Sequence, residues 1–449
     1  MFKKILIANR GEIARRINEV AHQNDIETVA VYSDADEKLP FVSECDQKIR
    51  LGTAPAADSY LNIEKVIAAA KEAHAEAIHP GYGFLSENPT FAGTCREAGI
   101  TFIGPPLEAM TRMKDKAQAR AIVEGVGVPV VPGSNGTVSD LAAASAEAER
   151  IGYPVLIKAA GGGGGIGMQV ANSAGELEKQ LRAASDRAKS AFGREAVYLE
   201  RYLPAPRHVE VQILGDHHGN LIHGFERECT IQRRHQKVVE ESPSTLFLDG
   251  KNAPLAARMY EAALEAARAF GYANAGTCEF LVQGEEFFFI EMNARLQVEH
   301  PVTEKVTGLD LITWQLKIAS GEKLTVTQDS LRKQGSAIEF RIYAEDPVKF
   351  FPSPGPLNVY REPQMENVRV DGGFVQGLTV TPYYDPMIAK LLVWDSDRPK
   401  AIARALQALD AYVIEGIKTN IPLHKRILQS EAFQKGELDT HFLEKHAKA

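Results

Sequence analysis

The chain has 449 residues, of which 44% are apolar and 24% are charged, so it can bury a large core. At about 150 residues per domain, this length predicts about three domains. The 51 basic and 59 acidic residues give a net charge of −8, and no dense block of Lys and Arg is present. This balance argues against a nucleic-acid or membrane-surface binder and favours small ligands.

The cysteines indicate a reducing compartment. Cys45, Cys95, Cys229 and Cys278 are scattered without a CxxC pair, which favours buried, reduced thiols over a disulfide framework or a zinc site. The apolar run Ile5–Ala8 is too short for a signal-peptide core, and no later run approaches about 18 apolar residues. We therefore expect a soluble, cytoplasmic protein.

The N-terminal part is predicted to open as a βαβ unit. A strand at Ile5–Ala8, a helix after Gly11 and a second strand at Glu27–Tyr32 follow in order. A dinucleotide site is disfavoured, because Gly11 stands alone where G-x-G-x-x-G is required. Residues 77–87 read as a strand that opens into a glycine-punctuated loop, which is either a ligand loop or a structural turn.

A second unit, near residues 130–203, is centred on a glycine run. The strand Tyr153–Lys158 leads into five glycines at 161–165, and the strand Met168–Ala171 follows. In a P-loop the Lys follows the glycines, whereas here Lys158 precedes them. A plain linker rarely lies between two apolar strands, so we favour a hairpin flap whose backbone N–H groups cover nucleotide phosphates.

The third unit contains strands at His208–Leu214 and within Glu226–Lys237, and a helix around residues 256–266. Several short strands follow the alternating segment Ile338–Tyr343, and a helix is predicted from about Arg398 to Val413. No internal repeat is evident.

A row of alternating polar residues lies at the centre of the third unit. If the segment is extended, one face carries Glu291, Asn293, Arg295, Gln297 and Glu299. An edge strand with one wet face would explain this pattern without any chemistry. The residues around the row decide between the two interpretations.

A hairpin before the row predicts a metal site. With its turn at Gly284 and its centre at Glu285, Glu279 lies directly opposite Glu291. Two carboxylates facing each other in a largely apolar sheet call for a cation, and Mg²⁺ fits best, with Asn293 as a further oxygen ligand. The alternative is another register in which both glutamates are solvated.

The end of the row predicts a pocket for a small planar oxyanion. Arg295 supplies a fork that matches such an anion, and Glu299 can accept a proton. Lys237 adds a second positive charge, although a charge run is more often a solvated face. Arg341 points away from the apolar side of its strand, either into the site or, as is commoner for a lone Arg, into water.

These motifs together resemble the biotin carboxylases, which are ATP-grasp ligases, across nearly the whole chain. Six motifs in order carry the resemblance: Ile7–Ile13, His79–Glu87, the Lys158 glycine loop, Gln232–Glu240, the row from Glu291 through Thr303, and Tyr383–Met387.

The resemblance implies an α/β, ATP-grasp fold with a Rossmann-like βαβ domain, a mobile glycine-rich lid and a C-terminal α+β domain. The expected boundaries are 1–115 for the N-terminal domain and 116–203 for the first ATP-grasp part, with the lid at 130–203. The catalytic core follows at 204–330 and the C-terminal domain at 331–449.

The resemblance also implies site residues. The expected catalytic residues are Arg295, Glu299, Lys237 and Arg341. ATP is expected at Lys116, Lys158, Gly164, Gly165, Glu200, Arg201, Tyr202, Leu203, His208, Gln232, His235, Glu279 and Glu291. The Mg²⁺ or Mn²⁺ ligands are Glu279, Glu291 and Asn293. Bicarbonate is expected at Lys237, Arg295, Gln297, Val298 and Glu299, and biotin at Tyr82 and Arg341.

The implied reaction agrees with the residue-level interpretation. Glu299 deprotonates bicarbonate, which attacks the γ-phosphate and gives carboxyphosphate and ADP. Carboxyphosphate breaks down to carbon dioxide and phosphate beside biotin, and Arg341 stabilises the ureido oxygen. Two departures are noted: Ile166 stands where many relatives carry Arg or Lys, and Arg201 where some carry Lys.

The chain contains no Ala-Met-Lys-Met segment, so biotin is expected on a separate carrier protein, with carboxyltransferase subunits as further partners. A homodimer is a family expectation. Two alternatives remain: another ATP-grasp carboxylate ligase, and an inactive nucleotide-binding regulatory subunit.

Overall fold

The structure is a computed structural model that describes residues 1–134, 136–138, 140–159, 168–192, 195–233, 236–248, 250 and 252–446. The predicted ATP residues Gly164, Gly165 and His235, and the departure at Ile166, lie outside the described residues.

The N-terminal part is a parallel sheet in the order β3-β2-β1-β4-β5. Its central strand carries two cores, because Ile5 and Ile7 pack on one face and Leu6 on the other. The predicted βαβ opening is confirmed, since β1 pairs in parallel with β2. The elements are β1 (Lys4–Ile7), α1 (Gly11–Gln23), β2 (Glu27–Ser33), α2 (Pro40–Glu44), β3 (Gln47–Gly52), α3 (Ile63–Glu72), β4 (Ala77–His79), α4 (Pro89–Glu97), β5 (Thr101–Phe102) and α5 (Leu107–Lys114).

The second part is a small antiparallel sheet in the order β7-β6-β8, covered by two helices. Val155 pairs with Ala171, so the two strands predicted to flank the glycine run do form a hairpin. The predicted helical run through Lys116 is interrupted, because the Asp115 side chain accepts from the Gln118 backbone and starts a new helix. The elements are α6 (Lys116–Gly125), α7 (Leu141–Ile151), β6 (Val155–Ala159), β7 (Gln169–Ala171), α8 (Ala174–Phe192) and β8 (Val197–Arg201).

The third part carries most of a large antiparallel sheet. Helix α9 packs on strands β9 and β10, as expected from its alanine-rich apolar face. The elements are β9 (Arg207–Gly215), β10 (Leu221–Arg233), β11 (Gln236–Ser242), α9 (Ala253–Phe270), β12 (Asn274–Gln283), β13 (Glu286–Asn293), α10 (His300–Thr307), α11 (Leu311–Ala319) and β14 (Ser336–Tyr343).

The last part extends the same sheet, whose order is β13-β12-β9-β10-β11-β14-β19-β17. The helix predicted from Arg398 is confirmed and ends at Ala411. The elements are β15 (Gly355–Pro356), β16 (Val359–Arg361), β17 (Val368–Gly372), β18 (Thr379–Val380), β19 (Met387–Asp395), α12 (Arg398–Ala411), β20 (Val413–Glu415), α13 (Ile421–Gln429), α14 (Glu431–Lys435) and α15 (Phe442–His446).

The polar row is the main departure from the expected secondary structure. Strand β13 is an edge strand of the large sheet, but it ends at Asn293, and helix α10 begins at His300. The segment is therefore not extended through Glu299, and the condition under which all five polar residues share one strand face is not met. The second half of the row reaches the site as a turn that leads into a helix.

Two simpler expectations can be compared with the structure. The four cysteines are free and buried, as predicted. Within the described part of the chain, no helix combines the length and apolar content required to cross a bilayer.

Candidate active site

The hairpin β12–β13 has the predicted register. Glu279 pairs with Glu291, and an irregularity between Glu279 and Phe280 shifts the rest of the ladder by one residue. The side chains have different surroundings: Glu279 is buried, whereas Glu291 is partly exposed and accepts from the Lys116 ammonium at 3.0 Å. The alternative in which both glutamates are solvated is therefore wrong.

Lys237 lies at the centre of a buried cluster of carboxylates. Its Nζ donates to Glu210 at 2.6 Å, to Glu299 at 2.6 Å and to Glu279 at 3.1 Å. Burial disfavours the ammonium, but the carboxylates of Glu210, Glu279 and Glu299 outweigh this effect and hold the pKa of Lys237 well above its usual value. Lys237 is therefore a site cation and not part of a solvated charge run.

Glu299 is clamped between two cations. One carboxylate oxygen accepts from Lys237, and the other accepts from Arg341 at 2.9 Å. Burial opposes ionisation, but Lys237, Arg341 and Arg227 together keep the pKa of Glu299 well below its usual value of 4.5. Glu299 is therefore a carboxylate in the resting site.

Arg341 points into the site. It is only 8% exposed, and its Nε donates to Glu240 at 2.6 Å. The solvated orientation that is commoner for a lone strand Arg is therefore wrong here. Arg341 lines a cavity of about 550 Å³ together with Tyr82, Arg295 and Val298. Among the described residues, the buried Tyr82 hydroxyl has no hydrogen-bond partner.

The turn that follows β13 brings the remaining polar residues of the row close together. The Arg295 guanidinium donates to Glu87 and to Asn293, at 3.0 Å each. The Gln297 amide donates to Glu279 at 2.7 Å, and Asn293 donates to the same carboxylate oxygen at 2.9 Å. The segment is not extended, yet it still places these polar groups around Glu279.

The predicted metal ligands form a suitable donor set. Glu279 and Glu291 lie on paired strands, and Asn293 is two residues further along β13. Two carboxylates and an amide oxygen are the hard donors that Mg²⁺ prefers. In the structure the Glu279 carboxylate accepts hydrogen bonds from Lys237, Asn293 and Gln297, so it is directed into the site.

The predicted ATP residues divide between the two sheets. On the small sheet, Lys158 contacts Glu200, and Arg201 pairs with Glu286 at 2.7 Å. Tyr202 and Leu203 follow directly after β8.

On the large sheet, the His208 Nδ1 lies 2.8 Å from the Gln232 amide, and its Nε2 lies 3.0 Å from Glu279. Lys116 starts α6, and its side chain is 84% exposed. A cavity of about 220 Å³ is lined by Lys116, Glu291 and Asn293 among others.

Several residues in contact with the site were not predicted as site residues. Two carry a sequence signal: Glu210 shares a strand face with His208, and a single Lys390 interrupts the apolar strand β19. Lys390 donates to the Val298 carbonyl at 3.0 Å. The others are Glu87, Arg227 and Glu240.

Arg227 is a fully buried guanidinium beneath this cluster. Its Nε donates to Glu210 at 2.5 Å, and one terminal nitrogen donates to Gln297 at 2.8 Å. It also donates to Gln212, Thr277 and Thr303. Arg227 therefore connects Glu210, which accepts from Lys237, to Gln297, which donates to Glu279.

Family models match three consecutive segments of the chain. A model described as "Biotin carboxylase, N-terminal domain" matches residues 1–110. "Carbamoyl-phosphate synthase L chain, ATP binding domain" matches 115–327, and "Biotin carboxylase C-terminal domain" matches 339–445.

Individual proteins are similar over the full length. A protein of Halalkalibacterium halodurans named biotin carboxylase is 50% identical, over 100% of this chain and 98% of its own. The crystal structure of a Campylobacter jejuni biotin carboxylase complex with βγ-ATP has a TM-score of 0.92 and 47% identity, and covers 99% of both chains.

The biotin carboxylase domain dimer of the Hydrogenobacter thermophilus 2-oxoglutarate carboxylase has a TM-score of 0.90 and 45% identity. It covers 99% of this chain and 98% of its own, and was solved with MgADP, ADP and bicarbonate.

Proposed function

The chain belongs to the biotin carboxylases, enzymes of the ATP-grasp fold that carboxylate biotin with ATP and bicarbonate, and from this premise we propose how its own residues divide the reaction. The observation that carries the proposal is the position of Glu299 between Lys237 and Arg341, beside the cavity that Tyr82 lines.

Glu299 acts as the base on bicarbonate. At rest its low pKa makes it a weak proton acceptor. A bicarbonate anion that shares Lys237 and Arg341 with Glu299 weakens both ion pairs, so the pKa of Glu299 rises when the substrate binds. The proton then moves to Glu299 as the bicarbonate oxygen attacks the γ-phosphorus, and ADP leaves.

The other predicted residues hold charge. Arg295, Gln297 and the Val298 backbone receive the bicarbonate, and Lys237 faces the transferring phosphoryl group. Mg²⁺, when bound, would be held by Glu279, Glu291 and Asn293 and would neutralise phosphate charge. Nucleotide contacts come from the two sheets: Lys158, Glu200, Arg201, Tyr202 and Leu203 on one side, and Lys116, His208 and Gln232 on the other.

Biotin occupies the cavity beyond Glu299. The carbon–oxygen bond to the phosphate breaks, carbon dioxide is released, and the phosphate accepts the ureido N–H proton. Arg341 then stabilises the negative charge that develops on the ureido oxygen, and Tyr82 lines the same cavity. The ureido nitrogen attacks carbon dioxide and forms carboxybiotin.

Biotin arrives on a carrier protein of another chain and leaves for a carboxyltransferase. The proposed homodimer is supported by the dimer of the biotin carboxylase domain of the Hydrogenobacter thermophilus 2-oxoglutarate carboxylase. The cytoplasm remains our prediction for its location, and the four domain boundaries likewise remain predictions. Co-purification of the biotinylated partner and its transferase identifies the final carboxyl acceptor.

The test is the substrate dependence of ATP cleavage by the purified chain. We expect cleavage to require bicarbonate and to rise with free biotin. Equal cleavage without bicarbonate would instead favour another ATP-grasp ligase. ATP binding without cleavage under any condition would favour a regulatory subunit.

A further inference from the structure

Lys390 is a buried cation on strand β19, and its side chain contacts the turn at residues 294–299. It lies on β19, is 1% exposed, and donates to the Val298 carbonyl at 3.0 Å. Val298 directly precedes Glu299 and lines the proposed biotin cavity. One ammonium therefore bonds the peptide group that joins Val298 to Glu299.

The ammonium is held by acidic groups from two other elements. Its Nζ lies 3.4 Å from Glu12 on α1 and 3.7 Å from Asp371 on β17. Burial lowers the pKa of Lys390, but Glu12, Glu339 and Asp371 outweigh this effect and raise it. The lysine is therefore charged, and its position is fixed from both the N-terminal and the C-terminal parts.

Stability alone gives little reason to bury this charge. A buried ion pair costs several kcal/mol per ion in desolvation, and replacement by apolar side chains is often neutral or stabilising. Among the described residues, both Glu12 carboxylate oxygens also lack a hydrogen-bond partner, so this ion pair is not optimised for stability. The burial of the Lys390 charge is better explained by a role in positioning the segment that contains Val298 and Glu299.

The segment needs such support because it lies between regular elements. Strand β13 ends at Asn293 and helix α10 begins at His300, so residues 294–299 are outside both. The Glu299 carboxylate is fixed by Lys237 and Arg341, but its backbone is not part of a ladder. The Val302 N–H donates to the Glu299 carbonyl at 3.3 Å, and Lys390 bonds the backbone on the other side of Glu299, at the Val298 carbonyl.

We infer that Lys390 is a positioning residue, which holds the Val298–Glu299 peptide so that the Glu299 carboxylate meets bicarbonate in the reactive geometry. The inference rests on the proposed function. A misplacement of about 1 Å at a reacting group costs up to about a hundredfold in rate, so loss of this bond should be visible in kinetics.

The test compares Lys390→Met with the double variant Lys390→Met, Glu12→Gln. The single variant leaves Glu12 without its cation, so its unfolding temperature should fall. The double variant removes both charges, while Asp371 keeps its bond with Arg369 at 2.9 Å, so thermal stability should recover. In both variants kcat/KM for bicarbonate should fall about tenfold to a hundredfold, and KM for ATP should stay within about twofold.

Lys333→Met is the matched control. Lys333 donates to Glu226 at 2.8 and 2.9 Å and has no role in the site. This variant should lose thermal stability and keep its KM for bicarbonate.

The inference is overturned if the double variant recovers activity together with stability, or if Lys390→Met keeps the wild-type kcat/KM for bicarbonate. Failure of the proposed function looks different, since the wild-type chain would then cleave ATP without any need for bicarbonate.

Discussion

The two sheets that share the proposed site differ in how their charged residues are held. On the large sheet the side chains of Lys237 and Glu279 are 11% and 9% exposed, and that of Glu299, in the turn that follows edge strand β13, is 2% exposed. Each has several partners. On the small sheet the side chains of Lys158 and Arg201 are 27% and 32% exposed, and each has one ionic partner among the described residues. The proposed bicarbonate end is therefore preorganised without its substrates, whereas the proposed nucleotide end is more open.

The difference follows from the elements against which each sheet packs. The small sheet packs its apolar residues against its own helices α7 and α8 and forms a separate cluster. Of the proposed catalytic residues, Lys237 and Arg341 instead stand on buried strands, and Glu299 is buried in the turn between β13 and α10. Buried charges at such positions require partners. Preorganised charge stabilises a transition state without reorganisation, and exposed pairs contribute little.

The largest expected effect is at the centre of the buried cluster. Glu299→Gln should lower bicarbonate-dependent ATP cleavage by at least about a hundredfold, because the proton acceptor is lost, while ATP still binds. Steady-state cleavage and equilibrium nucleotide binding check this. Glu304→Gln, another buried glutamate on the following helix, is the control and should retain cleavage. Unchanged cleavage by Glu299→Gln would refute its role as the base.

Arg341 tests the biotin side of the same cluster. Arg341→Met removes a donor to the ureido oxygen, and it also removes one partner of Glu299. Carboxybiotin formation should therefore fall about a hundredfold, and ATP cleavage without biotin by only about tenfold. Radiolabelled bicarbonate fixed on biotin, measured beside ADP release, separates the two. Equal losses in both assays would place biotin elsewhere.

Lys116 tests the open nucleotide end. Because its side chain is 84% exposed and its pair with Glu291 lies at the surface, Lys116→Met should leave thermal stability unchanged. We expect KM for ATP to rise about tenfold with kcat within about twofold, as loss of one charge contact to the nucleotide predicts. A fall in kcat at constant KM would show that this end also takes part in the chemistry.

Lowering the pH should reduce the thermal stability of the protein through the carboxylate of Glu299. A carboxylate whose folded pKa is depressed contributes stability that is complete above its usual pKa of 4.5 and is lost as the pH falls towards the folded value. Between about pH 6 and about pH 4 the wild-type unfolding temperature should therefore fall more steeply than that of Glu299→Gln, by about 1 °C. Parallel curves would contradict the charge assignment.

The smallest effect is expected at the link between the sheets. Glu286→Gln removes the partner of Arg201, and the Glu286 side chain is 54% exposed. Unfolding temperature should change by less than about 2 °C, and KM for ATP by less than about twofold. A larger change in KM would show that this pair helps to place the small sheet over the nucleotide.

The sequence predicted the fold class and the local pairings well, because apolar periodicity and turn residues are local signals. The βαβ opening, the strands beside the glycine run and the pairing of Glu279 with Glu291 are all present. Period-two alternation did not reveal that β13 stops at Asn293, since a turn into a helix can also direct alternate side chains to one side.

The contacts that complete the site were beyond sequence reasoning, since even the sequence signal of Lys390 in an apolar strand does not reveal which group it contacts. Glu87 and Lys390 come from elements far from Glu299 in the chain, and only the folded arrangement brings them to Arg295 and Val298. The orientation of Arg341 depended in the same way on Glu240, which lies on the neighbouring strand. Long-range contacts of this kind carry no periodic signature.

The central claim is that Glu299 enables a bicarbonate oxygen to attack the γ-phosphate. Bicarbonate labelled with heavy oxygen tests it directly, because the attacking oxygen stays with the phosphorus when carboxyphosphate breaks down. Mass spectrometry of the released phosphate should show one labelled oxygen per phosphate in the wild-type protein, and no labelled phosphate from Glu299→Gln. Phosphate released by the wild-type protein without label would contradict the account.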